Sequence, residues 1–329
     1  MTFIMRMLKR ILLGLFILIT ISVMGGYIYF RIAFKPAPSQ LTLLHSDAHI
    51  PFQWQSDTLN HELNPIAAML LPITLEGCPK TFYMQFDIGA PTSLFYKNKL
   101  DAINNQYHNI SLRHKNNKYK LENYQFMLGN TLVATKEIIA QQFDNTEIDW
   151  SDTTAKQIIG TIGTDLFENK TLIINYQKNY LLIDDKLPDH LSTKMKLSNF
   201  KFENRRILLP AILNGKEVDI FFDSGTSAFE LVTDKQTWEE LALKGAKVDR
   251  YPASSWNNQL TVNTVATSHF IRFNSHDFPL QHITYVEGTN FIQKVLMKLG
   301  GIGGLTGNKL FIGKIVILDT KNNKFAIID

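Results

Sequence analysis

Two patterns of apolar and polar positions divide the chain. From Ile11 to Phe30 (ILLGLFILITISVMGGYIYF) twenty residues pass without a charge, enough to cross the hydrocarbon core of a bilayer as a helix. Arg6, Lys9 and Arg10 precede this run, and Arg31 and Lys35 follow it. That bias predicts a cytoplasmic N-terminus, with residues 36–329 on the extracytoplasmic side, periplasmic or extracellular. The run is long for the h-region of a cleaved leader and no A-x-A site follows it, so residues 1–35 are expected to be an uncleaved single-pass anchor. Residues 36–64 are polar and Pro-punctuated and read as a juxtamembrane spacer. From Ile66 the text changes. Short runs rich in Ile, Leu, Phe and Thr alternate with Gly, Asn and Lys-Asn turns, the pattern of an all-β protein. Helices are expected to be few and short: Thr233–Leu243, with its Asp234 start and Gly245 beyond its end, and Asn290–Leu299, which stops at Gly300-Gly301.

The β pattern is written twice. The first copy opens Leu70-Leu71-Pro72 and turns at Gly77, and its next strand ends in Phe86-Asp87-Ile88-Gly89-Ala90. The second opens Leu208-Leu209-Pro210 and turns at Gly215, and its next strand ends in Phe222-Asp223-Ser224-Gly225-Thr226. Each copy closes on the skeleton Ile-x-Gly-x-x-Gly-x-x-Leu-Phe, at Ile158–Phe167 and at Ile302–Phe311, followed by an apolar hairpin. These landmarks predict two homologous units, 65–190 and 191–329, joined by the polar connection Asp184–Asn199.

Composition excludes more than it selects. Hydrophobic residues are 45% of the chain and charged residues 19%, which fits a globular protein with a real core. The net charge of +4 comes from Lys and Arg scattered among acids, so no nucleic-acid stripe is expected. The single cysteine, Cys78, rules out an intrachain disulfide and reads as a small residue near a strand turn. G-x-S-x-G, H-E-x-x-H and the Walker lysine are all missing. The Gly-rich stretch Leu299–Lys309 is explained by its place in the repeat, and no metal or organic cofactor is called for.

What remains is a pair of acids. An apolar strand that ends on a carboxylate, turns on Gly and surrounds the acid with donors is costly to build unless the acid is paired, hydrogen-bonded or functional. If the two units pack about a pseudo-dyad, Asp87 and Asp223 face each other. Carboxylates at about 3 Å cannot both ionise, and they titrate as one coupled system sharing a proton. Such a pair can take a proton from a water while polarising a carbonyl. The glycines let backbone N–H groups approach the acids closely.

These motifs resemble the pepsin-like and retropepsin-like aspartic protease superfamily, over about Ile66 to Asp329. Asp223-Ser224-Gly225-Thr226 matches that family's Asp-Thr/Ser-Gly-Thr/Ser turn at every position. The resemblance implies a bilobal all-β fold of two β-barrel-like lobes with few short helices, preceded here by one transmembrane helix. It implies a catalytic dyad of Asp87 and Asp223 supported by Gly89, Ser224, Gly225 and Thr226. Ser224 would cross-brace the two loops, and Thr226 would hydrogen-bond the outer oxygen of Asp223. Ile158–Gly160 and Ile302–Gly304 resemble the hydrophobic-hydrophobic-Gly strands that brace the turns. The flap would come from Tyr119–Ala134, turning at Gly129-Asn130, with Tyr124 the candidate flap tyrosine. The first turn departs from the family: Ile88 stands where Thr or Ser belongs, and Ala90 offers no hydroxyl. The expected function is a membrane-anchored aspartic endopeptidase acting on peptide or protein substrates, monomeric because both acids lie in one chain. The alternative is a catalytically silent module that binds peptide or protein in the same cleft.

Overall fold

Strict alternation builds the strand that carries the first acid. In Thr81–Phe86, Phe82, Met84 and Phe86 are buried while Thr81, Tyr83 and Gln85 face the other way, and the strand delivers Asp87 at its end. Lys216–Phe222 does the same for Asp223, burying Ile220 and Phe222. The computed structural model describes residues 36–44, 48–144, 146–152, 154–188, 195–255, 258–288 and 301–329. The apolar run Ile11–Phe30 and the expected helix Asn290–Leu299 lie outside them. No helix among the described residues is long and apolar enough to cross a membrane. The account below concerns the unit Ser39–Asp329.

The protein is all-β, with two short helices among the described residues. Each motif strand lies between an antiparallel partner and a parallel one. In the first half, Glu62–Leu75 pairs antiparallel with Thr81–Phe86, and Ile158–Ile162 runs parallel on its other side with Ile162 opposite Phe86. In the second half, Arg206–Leu213 and Ile302–Thr306 take those places, with Thr306 opposite Phe222. The first sheet closes on itself. Its order runs Thr131–Gln141, Leu94–Tyr96, Ile158–Ile162, Thr81–Phe86, Glu62–Leu75 and Lys118–Leu128, which pairs back to Thr131–Gln141. The second sheet repeats the central order but ends on the hairpin Phe270–Phe273/His276–Pro279.

The Leu-Phe ends of the two repeat skeletons lie under the acids. Phe167 packs on Phe86 and Phe311 on Phe222, with ring centroids 6.1 and 5.0 Å apart. All four rings are fully buried, each stabilising the fold by about 1.5–3 kcal/mol. A third sheet joins the halves. Thr171–Asn175 and Tyr180–Asp184 come from the first half and Ile315–Asp319 and Lys324–Ile328 from the second, with Thr171–Asn175 paired antiparallel to Ile315–Asp319.

One sequence expectation needs correction, one helix was missed and one is present with shorter bounds. The stretch 36–64 is not simply a spacer: Leu41–Leu43 adds to the first sheet, Ala48–Pro51 forms an edge of the joining sheet, and Gln53–Leu59 pairs with Glu62–Leu75. These strands are polar enough to hide from a hydropathy reading because they sit at edges, where one face or one side is wet. A helix at Lys97–Tyr107 was not anticipated. Its Asn-rich sequence has weak propensity and its N-cap, Tyr96, makes no side-chain cap, so burial of Leu100 and Ile103 holds it. The expected helix Thr233–Leu243 is present as Lys235–Leu241, capped by Asp234 accepting from the N–H groups of Gln236 and Thr237.

Candidate functional site

The two acids sit on matching turns. The N–H of Asp87 donates to the carbonyl of Ile162 and that of Asp223 to the carbonyl of Thr306, each at 2.9 Å. Each chain then reverses in one 3-10-like turn, with Ala90 N–H donating to the Asp87 carbonyl and Thr226 N–H to the Asp223 carbonyl, both at 3.1 Å. Gly89 N–H donates to Asp87 Oδ1 and Gly225 N–H to Asp223 Oδ1, both at 2.8 Å.

The glycines also decide how close the halves can come. A Cβ on Gly89 would lie 2.4 Å from Asp223 Oδ1, and one on Gly225 would lie 2.7 Å from Asp87 Oδ1. Each carboxyl therefore takes an N–H from its own turn and rests against the opposite half's glycine. The two carboxyls lie close enough for each to shift the other's titration. Burial raises Asp87 above the usual carboxylate range, opposed by the hydrogen bonds from Asp223, Gly89, Ala90 and Gly225. Burial raises Asp223 well above that range, and the adjacent Asp87 charge pushes it further. The residues remain half-buried, so one side of the pair is open to solvent. An arrangement of this kind holds one proton between two oxygens and can give or take it at a molecule bound there.

Beneath the pair the brace is one-sided. Ser224, fully buried, donates from Oγ to the Phe86 carbonyl at 2.9 Å and accepts from Ile88 N–H at 2.8 Å. Ile88 is equally buried and returns no such bond, yet it has not forced the turns apart.

No family model matches this chain, and no curated protein matches it.

Several expected roles move. Thr226 does not reach the Asp223 carboxylate: its hydroxyl donates to the Asp223 backbone carbonyl at 2.9 Å, because the tight turn brings residue i+3 back over the carbonyl of residue i. The strands Ile158–Ile162 and Ile302–Thr306 do lie beside the motif strands and hold the acids' N–H groups on the Ile162 and Thr306 carbonyls. Just past their ends Gly163 and Gly307 touch the turns: a Cβ would lie 2.5 Å from the Ala90 carbonyl and 2.0 Å from the Thr226 carbonyl. Both are in the repeat skeleton as its second glycine, so the signal was present. The hairpin turning at Gly129-Asn130 exists, but its tip is not a flap. Gly129 N–H donates to the Pro72 carbonyl, and a Cβ on Gly129 would meet Pro51 and Ile50. Tyr124 packs on the core rather than over the acids, and its hydroxyl is buried without a hydrogen-bond partner among the described residues. That burial, with the nearby Glu76 and Cys78, pushes the phenol up to about 12.

Sequence reasoning missed a group of polar residues around the turns. Buried Asp165 accepts from Ser93 N–H at 2.9 Å and from Ser93 Oγ at 2.6 Å, fixing the loop six residues after Asp87. Beneath the second turn, Tyr176 Oη of the first half donates to Asn308 Oδ1 at 2.7 Å, and Asn308 Nδ2 donates to the Ser224 carbonyl at 3.1 Å. Lone polar residues in apolar text give no sign of such long-range partners.

Proposed function

We propose that the chain is an aspartic endopeptidase with two pepsin-like or retropepsin-like lobes, hydrolysing peptide bonds with a water activated by Asp87 and Asp223. The observation that carries the reading is the mutual approach of two Asp-x-Gly turns, each glycine against the other half's carboxyl. In this reaction the ionised carboxyl takes a proton from the attacking water. The protonated carboxyl donates to the carbonyl oxygen of the scissile bond, whose developing charge it stabilises. The proton gained from water then passes to the leaving nitrogen, so the pair ends the cycle as it began.

The protease would work as a monomer, tethered through residues 11–30 with its cytoplasmic end at the N-terminus and residues 36–329 outside. Peptide or protein chains are its substrates. A second reading, a peptide- or protein-binding module without turnover, is favoured by one observation: the brace beneath the pair lacks the hydroxyl that Ile88 displaces. Small misplacements cost large rate factors.

Cleavage of a peptide library by the full chain in mild detergent, from about pH 3 to pH 7, separates the readings. Asp87→Asn and Asp223→Asn should each abolish cleavage. Turnover indifferent to both substitutions, or absent from the wild type, sinks the protease reading; in the second case saturable peptide binding would favour the module.

A further inference from the structure

The missing hydroxyl at Ile88 leaves the first turn held from below by Ser224 alone, and a second link reaches it from the side. Asn204-Arg205 forms the tight turn between the strands Lys201–Glu203 and Arg206–Leu213, with both residues in the left-handed region at φ 51° and 60°. The Arg205 side chain is only 3% exposed. Its Nη1 donates to the Pro91 carbonyl at 3.1 Å and its Nη2 to Glu168 Oε2 at 2.8 Å. The Arg205 carbonyl accepts from Thr164 Oγ1 at 3.0 Å, and Thr164 N–H donates to the Ala90 carbonyl at 2.9 Å.

Ala90 and Pro91 follow directly on Gly89. Thr164 and Glu168 belong to and cap the single turn Thr164–Phe167 that packs against them. One residue of the second half thus grips both backbone segments that set where Asp87 stands. Among the described residues the first half offers no counterpart. Its equivalent tight turn, Asn60-His61, lies six residues farther from the Leu-Leu-Pro landmark, since 70 − 61 is 9 and 208 − 205 is 3. Both residues there are exposed. Burying a guanidinium is costly unless it is well paired. Arg205 is buried with its Nε unpartnered among the described residues, which is more than a surface tie would require.

We propose that Arg205 is a positioning residue that holds the Asp87 turn in line with Asp223, doing from the side what a hydroxyl at residue 88 would do from beneath. The inference rests on the reading of the two acids as a working pair and names what aligns them.

The test uses the full chain in detergent with Arg205→Met, Ile88→Thr and the double variant. Two quantities are read: peptide cleavage, and the pH titration of the carboxyl infrared band that Asp223→Asn removes. Arg205→Met should lower kcat by about tenfold or more with KM changed by less than about twofold, and should move the carboxyl titration. Adding Ile88→Thr should return the titration and bring kcat to within about threefold of wild type. The proposal is overturned if Arg205→Met leaves both quantities unchanged. It is equally overturned if kcat falls while the titration, taken well below the melting temperature, stays put and Ile88→Thr gives no rescue. Should Arg205→Met not fold, Arg205→Lys replaces it, since an ammonium keeps the charge but cannot fork to Pro91 and Glu168 together. If the wild type cleaves nothing, the protease reading fails by itself, and the titration with and without Arg205 still decides the role of the arginine.

Discussion

Replacing Asp223 with Asn should stabilise the fold above about pH 5 while it removes any hydrolysis. In the unfolded chain both aspartates lose their protons at about pH 3.9. In the folded chain burial raises both, and the Asp87 charge raises Asp223 further. The folded state therefore holds at least one more proton than the unfolded state, from about pH 4 up to the point where the pair gives up its shared proton. A carboxyl raised in this way contributes stability that is fully present below its unfolded value and is lost as pH rises through its folded value. Each extra proton makes stability fall by about 1.4 kcal/mol per pH unit across that window. Asn at 223 can accept from Gly225 N–H and donate to Asp87 with no proton to hold, so the slope should drop by about one proton. For a unit of this size about 2 °C of melting temperature corresponds to 1 kcal/mol. The wild-type melting temperature should then fall by about 2–3 °C more than that of the variant for each pH unit. Asp165, raised by its own burial, contributes equally to both proteins and cancels in the difference. Calorimetric melts of the full chain at four pH values give the two lines. Parallel lines, or a variant that melts lower than wild type above about pH 5, would refute the shared-proton pair.

Other outcomes follow from the same contacts. Ser224→Ala leaves Ile88 N–H and the Phe86 carbonyl without their buried partner and should cost about 2–4 kcal/mol in denaturant unfolding. Thr226→Ala, which loses one bond to a backbone carbonyl, should cost about 0.5–1.5 kcal/mol. Gly307→Ala drives a methyl to 2.0 Å from the Thr226 carbonyl and should destabilise by about 3 kcal/mol or more, read as a lowered urea midpoint with unchanged m-value. Tyr124→Phe removes a buried hydroxyl with no partner among the described residues, so stability should hold or rise and peptide cleavage should be unaffected; a large loss of kcat would restore Tyr124 to the site. The rate of cleavage should fall as pH rises through the raised titration of the pair, read as a descending limb in the pH profile of kcat/KM.

The parts of the fold that repeat were legible in the sequence, because repetition turns weak local signals into strong ones. Leu-Leu-Pro, the Gly turns and the Asp-x-Gly ends each mean little alone, but their common order located both motif strands and paired Asp87 with Asp223. What does not repeat was lost. Leu41–Leu43, Ala48–Pro51 and Gln53–Leu59 form edge strands whose polar faces look like spacer, and Lys97–Tyr107 is held by tertiary burial against a poor intrinsic propensity. Within the skeleton the bracing strands were legible, but spacing alone could not tell that Gly163 and Gly307 meet the turns. The hydroxyl of Thr226 followed the local turn to a backbone oxygen rather than the carboxylate. Arg205 was invisible because its partners are 114 and 37 residues away, and nothing in its neighbourhood marks a buried cation.

The joining sheet has a consequence for how such a chain could arise. Thr171 lies opposite Asp319, Ile173 opposite Ile317 and Asn175 opposite Ile315. The repeat carries Thr171 onto Ile315, Ile173 onto Ile317 and Asn175 onto Asp319, a constant offset of 144 residues (315 − 171). Exchanging the halves maps the outer two pairings onto each other and the central one onto itself, which is the rule for an isologous contact in a homodimer. A gene for one half would already encode a self-complementary interface, and fusing two copies would free each acid-bearing turn to diverge. Ile88 opposite Ser224 is a divergence that only the fused chain could carry on one side alone.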